Sequence, residues 1–164
     1  MKRNQLPDEF VPEDAPEYTC ERKAMMALLA HAHLEELASG LMAFGLQESA
    51  VTELRPPQVG LVMVRGRQGA TGKPFNLGEA TVTRAAIQTA DGLTGVSYVL
   101  GRAPEKARLA AQVDALWQST AHRPAVEKNI IEPVRERLVA ERRTKRRQTA
   151  ATTVDFFTMV RGDD

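Results

Sequence analysis

The chain has 164 residues, a formal net charge of +1, and 43% hydrophobic and 26% charged residues. This length predicts a single domain, and the near-neutral balance excludes a global attraction to nucleic acid or to an anionic membrane, so any anion binding must come from local clusters. A single cysteine, Cys20, excludes an intrachain disulfide, and no apolar run approaches the roughly 20 residues that span a bilayer. Since the N-terminus also lacks the apolar core of a secretory signal, we expect a cytoplasmic protein.

The first part of the chain predicts an extension followed by a pair of helices. Residues 1–18 carry prolines among acidic residues, which favours disorder there. Thr19 suits the N-cap of a first helix, because apolar residues then recur at helical spacing from residue 25 to residue 32. A second helix is predicted over residues 34–44, ending at Gly45, which can take a positive φ without a Cβ clash.

The period changes to that of strands from about residue 49. Four segments read as strands: "SAVTELR", "VGLVMVRGR", "EATVTRAAIQT" and "VSYVLGR". The dipeptide Asp91–Gly92 marks a turn before the fourth. The connections are short, and because parallel strands need long crossovers, the pattern predicts a small antiparallel sheet of about four strands.

The helical period returns at Pro104, which suits a first helical turn. A last helix is predicted from near Pro133, and its "ERRTKRRQ" stretch has no apolar face. From about residue 148 the chain becomes an extended tail, "TTVDFFTMVRGDD", with apolar side chains of both strand parities. Such a segment is an aggregation hazard when exposed, so we expect it to pack on a partner. The layout is α+β, with one domain over residues 19–164.

The glycine-rich stretch from Gly69 to Ala86 raises the question of a nucleotide-binding loop. The P-loop pattern requires glycine five residues before Gly72 and a hydroxyl residue after Lys73. Those positions hold Arg67 and Pro74, and proline also lacks the N–H that such a loop offers to phosphate. The spacing therefore argues against a P-loop and favours a hairpin connection between two strands.

Basic side chains are the other candidates for chemistry. Arg65, Arg67, Arg84 and Arg102 lie in or at the ends of predicted strands, where arginine forks could converge on a phosphate group; the alternative is a set of solvated or interface arginines. Residues 142–147 could bind nucleic acid, but they lack aromatic neighbours, which favours a solvated helix face. The histidines have no zinc-site spacing, so no metal site is predicted.

Three long motifs carry a resemblance to a known family. The stretches "GLVMVRGRQGATGKPFNLGEATVTRAA" and "GVSYVLGR" and the ending "VDFFTMVRGDD" resemble PhnG, a subunit of the bacterial carbon–phosphorus lyase system. The resemblance runs from about residue 20 to the end of the chain. It implies a subunit working with PhnH-, PhnI- and PhnJ-like subunits, the PhnI-like one as the most direct contact, with a PhnL-like protein as a further partner and neither nucleic acid nor membrane.

The resemblance also implies a reaction, in which methylphosphonate displaces adenine from ATP to give ribose 1-methylphosphonate 5-triphosphate. ATP and methylphosphonate are then substrates of the complex, this chain binds no cofactor, and an iron–sulfur cluster belongs to the PhnJ-like subunit. Two alternatives remain open. The chain could be a purely structural scaffold for the PhnI-like subunit, or a stand-alone nucleotide- or phosphonate-binding enzyme.

No catalytic residue can be transferred with the resemblance, so the predicted site residues are contact residues. The candidates for anion binding or subunit contact are Gly72, Glu79, Thr83, Arg84 and Arg102. The candidates for an interface in the tail are Val154, Asp155, Phe156, Phe157, Met159 and Arg161.

Overall fold

A computed structural model describes residues 17–42, 44, 51–69 and 71–152. The helices are α1 (Glu17–His31), α2 (Leu34–Met42), α3 (Pro104–Gln118), α4 (Arg123–Val126) and α5 (Glu132–Ala151), with a π-helical turn (Glu127–Ile131) between the last two. The strands are β1 (Val51–Arg67), β2 (Pro74–Thr89) and β3 (Thr94–Leu100). A helical pair, a small sheet and C-terminal helices follow one another, so the predicted α+β class is confirmed.

The sheet is an antiparallel meander in the order β1-β2-β3. Within the described residues it has three strands instead of about four, because the first two predicted segments form one long strand, β1. Pro56 and Pro57 lie in the middle of β1, and the register with β2 shifts on both sides of Arg55. Prolines are tolerated there because β1 is an edge strand of the described sheet. The backbone position at which proline lacks an N–H can face solvent instead of a neighbouring strand.

Helix α3 lies at the centre of the fold, between the sheet and the other helices. Ala107, Ala111 and Ala115 share one face of α3 and pack against buried residues of β2 and β3. Its other side joins a helical core with α1, α2, α4, the π-helical turn and α5. The small alanine side chains allow a close approach: a Cβ on Gly95 of β3 would lie 1.9 Å from the Ala111 carbonyl oxygen.

The C-terminal helices begin earlier than the sequence predicted. The continuous helical segment starts at Arg123, so Pro133 does not begin it. Pro133 lies in the first turn of α5, where the missing N–H of proline costs nothing. Likewise α1 begins at Glu17, ahead of Thr19. Residues 1–16 and Gly45 are outside the described residues. Helix α5 continues through the basic stretch to Ala151, and every residue from 140 to 151 is exposed.

The hairpin of β1 and β2 extends well past the rest of the sheet. Strand β3 pairs with β2 only from Val82 to Gln88, whereas β1 and β2 stay paired out to Arg67 and Pro74. We call residues 61–81, the two-stranded part with its turn, the β-arm. None of its described side chains is buried, so the arm makes no hydrophobic core with the body of the chain.

Candidate interaction site

The turn at the tip of the β-arm is a tight connection between strands. Gly69 has a φ of 68°, and a Cβ on Gly72 would lie 2.0 Å from the carbonyl oxygen of Gln68. Glycine at both positions is therefore required by backbone conformation and by space. A strand, not a helix, follows Lys73, so the helix N-terminus that a P-loop offers to phosphate is missing. The prediction of a hairpin connection is confirmed.

Thr83 is buried and its hydroxyl is fully engaged by backbone groups. The Oγ1 donates to the carbonyl oxygen of Gly101 at 2.7 Å and accepts from the backbone N–H of Ala103 at 3.0 Å. These bonds fasten β2 to the connection that leads from β3 into α3, where Gly101 takes a φ of 86°. In this arrangement the Thr83 hydroxyl shapes a loop and does not face solvent.

The other predicted contact residues are exposed but dispersed. Glu79 lies in the β-arm opposite Met63, Arg84 lies opposite Gln58 in the three-stranded part, and Arg102 lies just before α3. The Arg84 guanidinium is 3.5 Å from Oε1 of Gln58.

The register separates the arginines for which convergence on one edge was one of two possibilities. Arg65 pairs with Asn76 and Arg84 pairs with Gln58. Seven strand positions therefore separate Arg65 from the level of Arg84, or about 23 Å at 3.3 Å per residue. The two predicted strands are one strand, which carries Arg65 and Arg67 to the arm tip, and this separation favours the alternative of solvated or interface arginines. A single phosphate cannot be held by all four side chains.

An apolar patch surrounds Arg84 on the sheet face that points away from α3. Val82 and Arg84 lie opposite Leu100 and Tyr98, and directly paired residues point to the same face of a sheet. Leu100 is 74% exposed and Tyr98 is 58% exposed. We call these four residues the open sheet face. This face was not predicted, although the apolar residues of "VSYVL" occupy both strand parities, which indicates a strand with two apolar faces.

The strongest buried charge pair joins three elements of the body. The carboxylate of Asp114 on α3 is fully buried and accepts hydrogen bonds from Nε of Arg22 at 2.9 Å and from its Nη2 at 2.7 Å. It also accepts the backbone N–H of Val96 at 2.8 Å. Asp114 therefore ties α1 and β3 to α3. With its buried oxygens so occupied, it is a structural group and not a candidate general base.

A second charged cluster closes the C-terminal end of α1. Lys106 donates to the carbonyl oxygen of Ala30 at 2.8 Å, and Arg137 donates to that of His31 at 2.9 Å. These cations satisfy carbonyls that a helix end leaves open and face the negative end of its dipole. Burial lowers the pKa of the Lys106 ammonium, with the nearby Arg137 charge acting in the same direction.

Arg137 also anchors the start of α2. Its guanidinium donates to both carboxylate oxygens of Glu36, at 2.7 and 3.0 Å, and to Glu141 at 2.8 Å. The backbone N–H of His33 donates to Glu36 at 2.7 Å, which is one half of a capping box. The hydrogen bond from Arg137 is the main cause that lowers the pKa of Glu36, and burial opposes it. Bonds to Glu36 and Glu141 raise the pKa of Arg137.

In the part of the chain that the structure describes, no group of three or more His, Cys, Asp or Glu side chains could hold a metal ion. His122 makes an edge contact with the Phe44 ring, and Cys20 is partly buried at the start of α1. The residues of the predicted tail interface, 154–161, lie outside the described residues. The β-arm and the open sheet face expose apolar side chains that could contact another protein.

Comparison with known proteins gives the family. The family model described as phosphonate metabolism protein PhnG matches residues 20–162. The chain belongs to the PhnG family. A curated PhnG from Rhizobium meliloti (strain 1021), the alpha-D-ribose 1-methylphosphonate 5-triphosphate synthase subunit PhnG, is 51% identical over 144 residues, which covers 88% of this chain and 91% of the relative. The resemblance drawn from the three motifs is thus confirmed, and the N-terminal extension falls outside the PhnG match.

One further finding concerns membranes. Within residues 17–42, 51–69 and 71–152, no helix of this PhnG-family chain has both the length and the apolar character needed to cross a bilayer.

Proposed function

We propose that this chain is a subunit of a ribose 1-methylphosphonate 5-triphosphate synthase, and that it acts only within that assembly. The observation that supports this proposal best is the relative from Rhizobium meliloti. That relative is 51% identical to this chain and is described as a subunit of this synthase. The surface agrees with a subunit role, because large apolar side chains are exposed along the β-arm and on the open sheet face. Monomeric proteins rarely leave such contiguous apolar surface uncovered.

The proposed reaction is the displacement of adenine from ATP by methylphosphonate, with both substrates handled by the complex. We propose PhnH-, PhnI- and PhnJ-like partners, the PhnI-like subunit in direct contact, and a PhnL-like protein as an additional component. An iron–sulfur cluster would lie on the PhnJ-like subunit and would serve a later step. Since ATP is a cytoplasmic substrate, we place the assembly in the cytoplasm.

The contribution of this chain is proposed to be contact and positioning. Arg84, at the centre of the open sheet face, is the best placed of the predicted residues to meet an anion or a carboxylate, because its guanidinium is exposed and has a loose bond to Gln58 at 3.5 Å. Glu79 and Arg102 are exposed and are proposed as subunit contacts. Gly72 serves the arm turn through its backbone.

The C-terminal tail is proposed as a second contact. Helix α5 loses its buried side after Leu138, and residues 138–152 rise about 21 Å along a helix axis at 1.5 Å per residue. The start of the tail is therefore carried away from the core by a solvated helix. The tail residues proposed for the interface are Val154, Asp155, Phe156, Phe157, Met159 and Arg161.

The experiment is reconstitution with the PhnH-, PhnI-, PhnJ- and PhnL-like proteins of the same organism. Adenine release from ATP and methylphosphonate is measured for the full set, for the set lacking this chain, and for this chain alone. We expect activity in the full set only. Adenine release by the chain alone would favour a stand-alone enzyme, and full activity without it would contradict a required role.

A companion measurement addresses the tail. Deletion of residues 154–164 should abolish co-purification of the tagged chain with the PhnI-like subunit. The matched control replaces Arg142 and Arg143 on the exposed side of α5 with glutamine, which leaves the tail intact and should leave co-purification unchanged. Full recovery of the partner by the truncated chain would contradict the tail interface.

A further inference from the structure

The β-arm combines a long reach with apolar side chains on both faces. Leu61 and Met63 point to one face of the ribbon and Val62 and Val64 to the other, because successive residues of a strand alternate. All four are exposed, as are Phe75 and Leu77 of the returning strand, at fractions from 37% for Val64 to 66% for Leu77. A surface that covered one face only would leave the other face in water.

The β1 edge of the arm is apolar between its base and its tip. Strand β3 ends at Leu100, opposite Val82, so among the residues that the structure describes no further strand lies beside β1 or β2 within the arm. Natural edge strands are blunted by proline, charge or bulges. In β1 the prolines Pro56 and Pro57 lie near the body, and a register shift at Val64/Arg65 lies near the tip, whereas the stretch "GLVMV" between them contains neither proline nor charge. A two-stranded ribbon is at best marginally stable alone in water.

The charge of the arm indicates what kind of surface covers it. Residues 61–81 contain three basic side chains, Arg65, Arg67 and Lys73, and one acidic side chain, Glu79, which gives a net charge of +2 in a chain whose total is +1. The basic side chains cluster at the tip. Two copies of the arm packed against each other would bring these like charges together, which disfavours self-association through the arm.

We infer that the β-arm inserts into an apolar cleft on a different subunit, a cleft that encloses both ribbon faces and carries carboxylates where it meets the arm tip. This inference rests on the proposed function, since it assigns a docking element to the proposed assembly. The size is adequate: a standard protein interface takes about 20–30 residues from each side, and residues 61–81 supply about that number by themselves. Enclosure on both sides also removes the free edges from solvent.

The test uses the tagged full chain co-expressed with the PhnH-, PhnI- and PhnJ-like subunits of the same organism. The arm variant is Leu61→Thr/Leu77→Thr, because threonine keeps strand propensity while removing apolar surface. The matched control is Val139→Thr on α5, which changes another exposed apolar residue at 58% exposure outside the arm. The urea unfolding midpoint, followed by the fluorescence of Trp117, shows that each variant is folded. Because no described side chain of the arm is buried, this midpoint should stay unchanged in the arm variant.

We expect the arm variant to recover at least about tenfold less of the other subunits per tagged chain, and the Val139→Thr chain to recover as much as the unaltered chain. A second variant, Arg65→Glu/Arg67→Glu, should lose recovery as well. The loss of the charge-reversal variant should be largest at low salt, because screening weakens exposed charge pairs. Recovery by both arm variants within about twofold of the unaltered chain would overturn the arm inference and leave the proposed function standing.

The remaining outcomes separate the other occupants. If the unaltered chain recovers no other subunit, the proposed function fails and the hetero-subunit cleft fails with it. If light scattering finds a homodimer that the arm variant abolishes, the arm binds a second copy and the inference is overturned. If truncation after residue 152 creates a binding site for an apolar dye that Leu61→Thr/Leu77→Thr removes, the chain's own tail covers the arm, which also overturns it.

Discussion

Removal of the buried carboxylate of Asp114 is the sharpest test of how the body is held together. In Asp114→Ala the guanidinium of Arg22 loses acceptors at 2.9 and 2.7 Å, and the N–H of Val96 loses one at 2.8 Å. Breaking a buried ion pair by removing one partner typically costs about 3–5 kcal/mol, and the 27% exposure of the Arg22 side chain together with its bond to the Thr94 carbonyl oxygen favours the lower end of that range. That is a large fraction of the roughly 5–15 kcal/mol by which domains are stable.

The assay is urea unfolding followed by fluorescence of the single, buried Trp117. With a slope of about 2 kcal/mol/M, a loss of about 3–5 kcal/mol moves the midpoint down by about 1.5–2.5 M. Asp114→Asn keeps an oxygen acceptor for the N–H of Val96. Its unfolding midpoint should therefore lie between the midpoints of the unaltered chain and of Asp114→Ala. The matched control is Glu132→Ala, which removes an exposed carboxylate 3.7 Å from Arg135 and should cost less than about 1 kcal/mol.

A double-variant cycle tests whether the effect belongs to the pair. Arg22→Met and Asp114→Ala together should lose less than the sum of their separate losses, because each single change removes the same ion pair and the double change removes it only once. If Asp114→Ala unfolds at the midpoint of the unaltered chain, or if the losses of unfolding free energy from the two single changes simply add, the Arg22–Asp114 pair does not stabilise the body.

Two further predictions concern packing and pH. Gly95→Ala should destabilise the fold by about 1–3 kcal/mol or more, because its Cβ would lie 1.9 Å from the Ala111 carbonyl oxygen. The control is Gly60→Ala, whose Cβ would have nothing within 4 Å and whose effect should stay within about 0.5 kcal/mol. Equal urea unfolding midpoints for the two variants would refute the close approach. Because Arg137 lowers the folded pKa of Glu36 from its ordinary 4.5, the stability from this carboxylate is fully present above pH 4.5 and is lost as the pH falls through the lower folded value. The difference in unfolding free energy between the unaltered chain and Glu36→Gln should therefore shrink on acidification below pH 4.5, and a difference that grows there would contradict it.

The site was predictable only in part from local pattern. Spacing around Arg67 and Pro74 was enough to reject a P-loop, because that motif depends on contiguous backbone and side-chain positions. Whether the arginines converge could not be decided locally, because it depends on where β1 ends. Pro56 and Pro57, which lie between the first two predicted strands, are accommodated by register shifts on an edge strand, and this carries Arg65 and Arg67 out to the arm tip.

The partners of buried polar groups were also beyond local reasoning. Nothing near Asp114 in the sequence marks it as different from an exposed helical aspartate, since Arg22 lies 92 positions away. Thr83 was singled out as functional because of its motif, yet its hydroxyl is bound by backbone from residues 101 and 103. Such assignments depend on contacts between elements that are distant along the chain.

The sequence by itself determined the family, the α+β class and the antiparallel meander, because these follow from contiguous motifs, short connections and side-chain periodicity. Only the tertiary structure decided which apolar strand residues are covered. Ala85, Ile87 and Val99 are buried because α3 lies against them, while Leu61, Met63 and Leu77 have equally apolar side chains and remain exposed. The physical reason is length: β1 and β2 extend beyond the reach of β3 and of the helix layer, so the same strand pattern forms core at one end and uncovered surface at the other.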